Sequence, residues 1–298
     1  MRGIYRFYQD GKLISEQKNL LTTEGKRLIL RYLAGQSPSL GAAIGLGVSS
    51  VAATVNDVSL GFEIKRVSVD LKNADYTNNV VLFKGTIEQD VVFSIYEAGL
   101  WSSAANNLSG EFDSRTLTTF DTDLEDWTNV TVDTTANRTS EDAVKVSAAI
   151  SSTTQTRLDT DMDLSGYSAN DTFYLAFSKP NNNISTIKMI FEDTISSGSL
   201  SLTKTVSALP TGYNILAFRK GDFTSTGTVN WDNINRFGFD VTAGGTAGYV
   251  ILDGLRVEDL DTPNQDFVLV SHTILGSPLV KTNTAPMDVE YALDFNVS

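Results

Sequence analysis

The sequence has no cysteine, which excludes disulfides, thiolate catalysis and cysteine-ligated metals. It has one histidine, His272, so a histidine-based catalytic or metal site has almost nothing to be built from. It lacks any apolar run of roughly eighteen residues, so no helix is expected to span a membrane. The opening MRGIYRFYQDGK reaches Asp10 without the apolar stretch of a signal peptide. Positive charge is scarce: 23 Lys and Arg stand against 36 Asp and Glu, for a formal net charge of −13. A surface that acidic repels phosphate backbones, so nucleic acid is not expected as a partner. What is present is apolar bulk. Of 298 residues, 41% are hydrophobic, enough for one large core or two ordinary ones.

The local patterns are mostly those of strands. IYRFY and KLISEQ flank Asp10-Gly11, a dipeptide suited to the positive φ angles of a type I′ hairpin turn. LLTTEGKRLILRYLAG is the one convincing helix, with Thr22 or Thr23 as cap and Glu24 in its first turn. Leu28, Ile29, Tyr32 and Leu33 are expected on its buried face, and Gly35 is expected to stop it. FEIKRVSV, NVVLFKGTI and VVFSIYEAGLW then read as strands. In TIKMIFED, Ile187, Met189 and Phe191 alternate with Lys188, Ile190 and Glu192, as in a strand with one buried face.

From about Ala104 to Pro263 the chain becomes dense in Ser, Thr, Asn and Asp, with short strands and no helical pattern between them. That spacing suggests an antiparallel sandwich of jelly-roll type. After Asp266 longer, more apolar strands return. The expected fold class is therefore mainly β: a β-sandwich with one short N-terminal helix, formed by 1–118 and 263–298, and a second jelly-roll sandwich, 119–262, inserted in it. Two sandwiches in series with a C-terminal tail is the alternative.

Few motifs carry chemistry. GLGVSSVAATVNDVSL, Gly45 to Leu60, opens with the G-x-G spacing of a phosphate loop and carries one charge, at Asp57. No third small residue in register, no helix and no P-loop lysine follows, so it reads as a buried strand and then a small-residue loop. Asp121, Asp123, Glu125 and Asp126 cluster in one segment, and Asp159, Asp161 and Asp163 in another. The second resembles the start of an EF-hand, but Leu164 replaces the turn glycine and Asn170 the final glutamate. These acids read as solvated loop residues, with a structural calcium site as the alternative. His272 reads as a half-buried strand histidine bonded to a neighbour, and no serine-hydrolase elbow or zinc-protease motif occurs. Trp127, Tyr167, Tyr174, Tyr213, Trp231 and Tyr249 are aromatic candidates for stacking on sugars, although tryptophans of a sandwich usually sit in or beside its core. Trp231, in the polar run GTVNWDNIN, is the least obviously buried of them, and Tyr213 is kept with it as a glycan-contact candidate.

Two resemblances add to this reading. NLLTTEGKRLILRYLAG, IGLGVSS with its following loop, the E-x-x-R of Glu63 and Arg66, and the E-x-GLW of Glu97, Gly99, Leu100 and Trp101 together resemble virion proteins of tailed bacteriophages, of the minor tail, baseplate or fibre-associated kind. The resemblance spans residues 1 to about 118 and resumes near Asp266. It implies a non-enzymatic β-sandwich assembly module that contacts other virion proteins and forms homo-oligomers, in a particle assembled in the host bacterial cytoplasm, without membrane insertion. In that reading Ser50, Val51, Ala52, Ala53, Thr54 and Val55 form an assembly surface, because small uncharged side chains let another backbone approach with little desolvation. FDTDLEDW, DLSGYSANDTFYLAF and WDNINRFGFDV with YVILDGLRV resemble galactose-binding-like carbohydrate-binding jelly rolls. That resemblance implies a host-surface glycan as ligand and a structural calcium ion, with Asp121 and Asp253 in the comparable places. A capsid decoration or neck or head-fibre protein is the alternative, followed by a polysaccharide-degrading enzyme using Asp121 or Asp123.

Overall fold

A computed structural model describes residues 2–36, 40–41, 43–102, 115–121, 125–258 and 268–296. The chain forms two compact units, Met1–Arg115 with Pro263–Ser298, and Thr116–Thr262.

Unit 1 begins with the hairpin. Asp10 and Gly11 hold φ angles of 50° and 72° between β1 (Arg2–Gln9) and β2 (Lys12–Lys18), the geometry that asparagine, aspartate and glycine tolerate best. After β3 (Leu20–Leu21), Thr22 caps α1 (Thr23–Leu33), its Oγ1 accepting the Gly25 amide at 2.9 Å. Gly35, at φ 69°, ends the helix as expected. The remaining strands of this unit, numbered along the whole chain, are β4 (Ala43–Gly47), β5 (Glu63–Ser68), β6 (Leu71–Asp75), β7 (Val80–Ile87), β8 (Phe93–Trp101), β20 (Leu269–Lys281) and β21 (Met287–Asp294). They build two antiparallel sheets, in the orders β2-β1-β21-β7-β6 and β3-β20-β8-β4-β5. Tyr5, Phe7 and Tyr291 of the first sheet and Ile44, Leu46, Ile95 and Leu100 of the second fill one shared core.

The buried face of α1 differs from the expected one. Gly25, Leu28 and Ile29 are buried, but Tyr32 and Leu33 are 46% and 69% exposed. The cause is how the helix docks. The Thr22 amide donates to the Val270 carbonyl at 3.1 Å, and a Cβ on Gly25 would lie 2.1 Å from that same oxygen. Contact is therefore made by the first two turns against β20, and the last turn has no sheet to cover.

Unit 2 comprises β9 (Thr116–Thr118), β10 (Thr131–Asp133), β11 (Ala143–Ala148), β12 (Thr153–Met162), β13 (Thr172–Lys179), β14 (Ile184–Asp193), β15 (Gly198–Thr205), β16 (Gly212–Arg219), β17 (Thr224–Thr226), β18 (Ile234–Ala243) and β19 (Gly248–Glu258). Its sheets run β10-β11-β19-β13-β16, with β9 beside β19, and β12-β18-β14-β15-β17. All pairings are antiparallel, which gives a β-sandwich of jelly-roll type. Phe173, Phe177, Phe191, Phe237 and Phe239 are fully buried between the sheets. Ile187, Met189 and Phe191 of β14 point into this core, as the alternation of TIKMIFED predicts.

The close approach at Gly25 gives a test. Gly25→Ala should lower the stability of the chain by about 1–3 kcal/mol, read as a fall in its urea midpoint, because the added methyl meets backbone that cannot rotate away.

Candidate functional site

Unit 1 concentrates its unusual chemistry on the outer face of the sheet β3-β20-β8-β4-β5. The residues on that face are Gly45 and Gly47 of β4, Glu97, Gly99 and Trp101 of β8, Glu63 and Arg66 of β5, and His272 of β20. Pairing puts Gly45 between Arg66 and Gly99, and Gly47 between Glu63 and Glu97, while Gly99 pairs with His272. A Cβ on Gly45 would sit 2.3 Å from Glu63 Oε1, and one on Gly47 would sit 2.3 Å from Glu97 Oε1. The G-x-G of the opening stretch is thus a lowered floor that makes room for two carboxylates. It is not a phosphate loop, and the stretch is a buried strand followed by a loop, as the sequence predicts.

Two buried networks occupy that floor. In the first, Glu63 accepts both Arg66 Nε at 2.9 Å and Arg66 Nη2 at 2.8 Å, and Trp101 Nε1 donates to the same carboxylate at 3.2 Å. The Arg66 guanidinium also lies 4.5 Å from the Trp101 ring centre. In the second, Glu97 is fully buried and accepts the amides of Ser49 at 3.2 Å, Gly61 at 2.8 Å and Phe62 at 2.8 Å. Those amides are the two ends of the loop that leaves β4 and enters β5, so one carboxylate staples both. Its Oε2 lies 3.0 Å from His272 Nε2, and His272 Nδ1 lies 2.6 Å from Asp57 Oδ2. Asp57 in turn accepts the amide of Thr54 at 2.8 Å and its hydroxyl at 2.6 Å.

His272 is therefore more buried than its strand pattern suggests, 3% exposed and held between two carboxylates. Burial pushes its pKa down, but the hydrogen bonds and charges of Glu97 and then Asp57 outweigh this, and the net shift is upward. The loop above is exposed: Val51 and Val58 show 72% and 70% of their surfaces, and Ser50, Ala52 and Thr54 are exposed beside them. Its base is anchored through Glu97, Asp57 and Leu60, which packs with Ala43, Trp101 and Leu269, and its middle is held where the Thr23 amide donates to the Val55 carbonyl at 2.7 Å.

In unit 2 the structure brings together two residues that the sequence assigned to different roles. The Tyr213 hydroxyl donates to Asp253 Oδ2. The Arg138 amide donates to Asp253 Oδ1 at 2.9 Å and the Thr139 amide to the same oxygen at 3.3 Å. Burial pushes the Asp253 carboxyl up to about 6 against the pull of these donors. A calcium ion needs oxygen lone pairs, and here N–H and O–H groups aim at both oxygens instead. Among the described residues no three His, Asp or Glu side chains converge as a metal site. The donor set around Asp253 thus does not fit calcium. Asp121 lies close enough to Glu125 to raise that carboxyl, after the larger effect of burial, and Asp123 lies outside the described residues. Asp159 and Asp161 are on β12, while Asp163 accepts the Ser165 amide and hydroxyl in the turn beyond it.

Four of the six aromatic candidates are also engaged. Trp231 stacks on Phe173 at 5.8 Å and meets Phe191 and Phe223 edge-on at 5.3 and 5.4 Å, at the rim of the core. Trp127 is buried and stacked on Phe120. Arg138 covers Tyr213 at 3.7 Å, and Lys145 covers Tyr249 at 4.2 Å. Sequence reasoning missed the His272 cluster, whose partners stand 215 and 175 positions away. The signal available was Asp57 itself, the lone charge of a sixteen-residue stretch.

No family model matches the sequence, and no curated protein does. Among solved structures, the family 11 carbohydrate-binding module of the cellulase Lic26A-Cel5E of Clostridium thermocellum is similar over 50% of this chain and 96% of its own, at 14% identity and a TM-score of 0.38. A family 11 module from Clostridium thermocellum in complex with a β-1,3-1,4-mixed-linked tetrasaccharide matches over 48% and 94%, at 12% identity and a TM-score of 0.36. PfGH50B matches over 49% of this chain, at 14% identity and a TM-score of 0.35, and the match spans 24% of its own length. TM-scores this low add nothing to the strand pairing described above.

Two outcomes test the clasp. Glu97→Ala leaves three amides and the imidazole without their acceptor and should cost about 3–5 kcal/mol, measured by urea unfolding. A raised folded pKa of His272 gives stability that is complete below its ordinary value of 6.5 and is lost as pH climbs through the folded value. Between pH 6 and 9 the wild-type urea midpoint should therefore fall with rising pH, and that of His272→Gln should stay nearly flat. Parallel slopes would show that the imidazole is not charged in the clasp.

Proposed function

We propose that the chain is a structural, non-catalytic component of a tailed-phage virion, of the tail or baseplate, in which unit 1 is the assembly module and unit 2 a glycan-binding module. One observation carries this reading. Of the residues behind the virion-protein resemblance, Glu63, Arg66, Glu97, Gly99 and Trp101 come together on one sheet face, where Glu97 accepts the amides at the base of one loop, Trp101 packs with Leu60 there, and Glu63 pairs with Arg66 beside them. Glu97 and Trp101, from a motif set spread over 39 positions, thereby share one job, which is to hold an exposed loop in a fixed shape. A loop ordered before binding loses little entropy when a neighbouring subunit docks, so its contacts go into affinity. Val51, Val55 and Val58 supply apolar contact area on it, and Ser50, Ala52, Ala53 and Thr54 keep its profile low.

The glycan reading of unit 2 is carried by its polar sheet surface and by the resemblance of its segments to carbohydrate-binding jelly rolls. In a particle that holds several copies, weak single-site binding to a cell-surface polysaccharide becomes strong through avidity. Homo-oligomerisation through unit 1 would supply those copies.

The loop is testable without disturbing the core, because surface substitutions away from packed features change stability by about 0.5 kcal/mol or less. Val51→Asp with Val58→Asp should leave the melting temperature unchanged and exclude the chain from purified phage particles in a complementation assay that incorporates wild type. Equal incorporation of both chains would overturn the assembly role of the loop. Absence of the wild-type chain from particles would overturn the virion reading itself.

A further inference from the structure

The outer face of the unit 2 sheet β12-β18-β14-β15-β17 holds a feature that none of the sequence motifs announces. Two hollows, of about 560 and 300 Å³, share one lining residue, Arg236. Cross-strand pairing explains the shape. Asp159 of β12 pairs with Arg236 of β18, Arg236 with Glu192 of β14, and Glu192 with Ser199 of β15. The row Asp159–Arg236–Glu192–Ser199 therefore crosses four strands at right angles as a shallow trough, with one hollow on each side of Arg236. Three strand spacings of about 4.8 Å make it about 14 Å long.

Its polar groups are held in place. Arg236 Nε donates to Asp159 Oδ1 at 2.5 Å, and both side chains remain partly open to solvent. Beside this row the floor drops at Gly238, where a Cβ would lie 2.0 Å from the Thr156 carbonyl oxygen. The Arg157 side chain lies against that glycine, 2.7 Å from Asp240 and 3.5 Å from Glu192, and it also donates to the carbonyls of Thr156 at 2.8 Å and Phe239 at 3.1 Å. Arg157 is in this way a fixed prop for Glu192 as well as a wall. Ile190, pairing with Gly238, is 5% exposed although it points away from the core, so the floor is closed.

The geometry points to a binding site for a neutral, hydroxyl-rich polymer segment, a saccharide chain lying across the strands. This rests on the glycan reading of unit 2 and supplies its location and ligand class. Alternating guanidinium donors and carboxylate acceptors on rigid strands match neighbouring hydroxyls, each of which donates and accepts. An apolar ligand would desolvate those groups without replacing their bonds. Charge decides against an acidic polymer: Asp126, Asp159, Glu192 and Asp193 line the trough against Arg157 and Arg236, four acids to two cations.

Affinity electrophoresis of the full chain tests the site, in gels containing a neutral glucan, galactan or mannan or, separately, polygalacturonate. Retardation by at least one neutral polysaccharide and not by polygalacturonate is expected. Arg236→Ala should weaken that binding by about tenfold or more. Ser199→Trp, which fills the smaller hollow, blocks one end of the trough and leaves the ion pair intact, should do the same, and both variants should melt as wild type does. Wild-type retardation that both variants retain would overturn the site and leave the glycan reading standing. Failure of wild type to bind any of the polysaccharides would overturn both, and stronger binding to polygalacturonate would overturn the ligand class.

Discussion

Unit 1 depends on one buried carboxylate. Glu97 is fully enclosed, and an enclosed charge is tolerable only if donors replace the water it has lost. Here three backbone amides and an imidazole do so, and that requirement fixes much else. The amides must come from both ends of the β4–β5 loop, so the loop must close over the sheet. The carboxylate must lie flat on the sheet, so β4 must carry glycine opposite it. The imidazole must be held from its other side, so the loop must bring down Asp57. Sequence features that look unrelated are thus consequences of burying one charge.

Unit 2 solves a different problem with the same means. Its core is dense with phenylalanine rings, and its polar groups are placed on the outside of the sheets in pairs and triplets. Glycine again marks where something lies close, with Gly238 making room for a Thr156 carbonyl and the Arg157 stem as Gly47 makes room for Glu97. Several charged side chains are buried instead, Lys179 and Asp171 among them, and Asp253 is a carboxylate surrounded by neutral donors with its pKa pushed up to about 6.

The legible parts of the fold were those set by neighbours in sequence. The Asp10-Gly11 turn, the Thr22 cap, the Gly35 stop and the alternation of β14 each depend on a few adjacent residues. Tyr32 and Leu33 were misplaced because helical periodicity says which residues share a face, not how far along the helix that face is covered. The clasp and the trough were not legible for a related reason. His272 meets Asp57 and Glu97, and Arg236 meets Asp159 and Glu192, only through strand register, which a single sequence does not reveal. What the sequence did carry was residues out of keeping with their surroundings: a lone aspartate in an uncharged loop, and a glycine in the middle of the strand pattern RFGFD.

Native-state hydrogen exchange of the Ser49, Gly61 and Phe62 amides tests the central role of Glu97 most directly. If the buried carboxylate staples the loop, these three amides exchange as slowly as those in the middle of β4 and β8, while those of Ala52 and Ala53 above them exchange fast. If all of them exchange at the rate of the exposed loop, the carboxylate does not hold its base, and the loop is not the fixed surface that assembly requires.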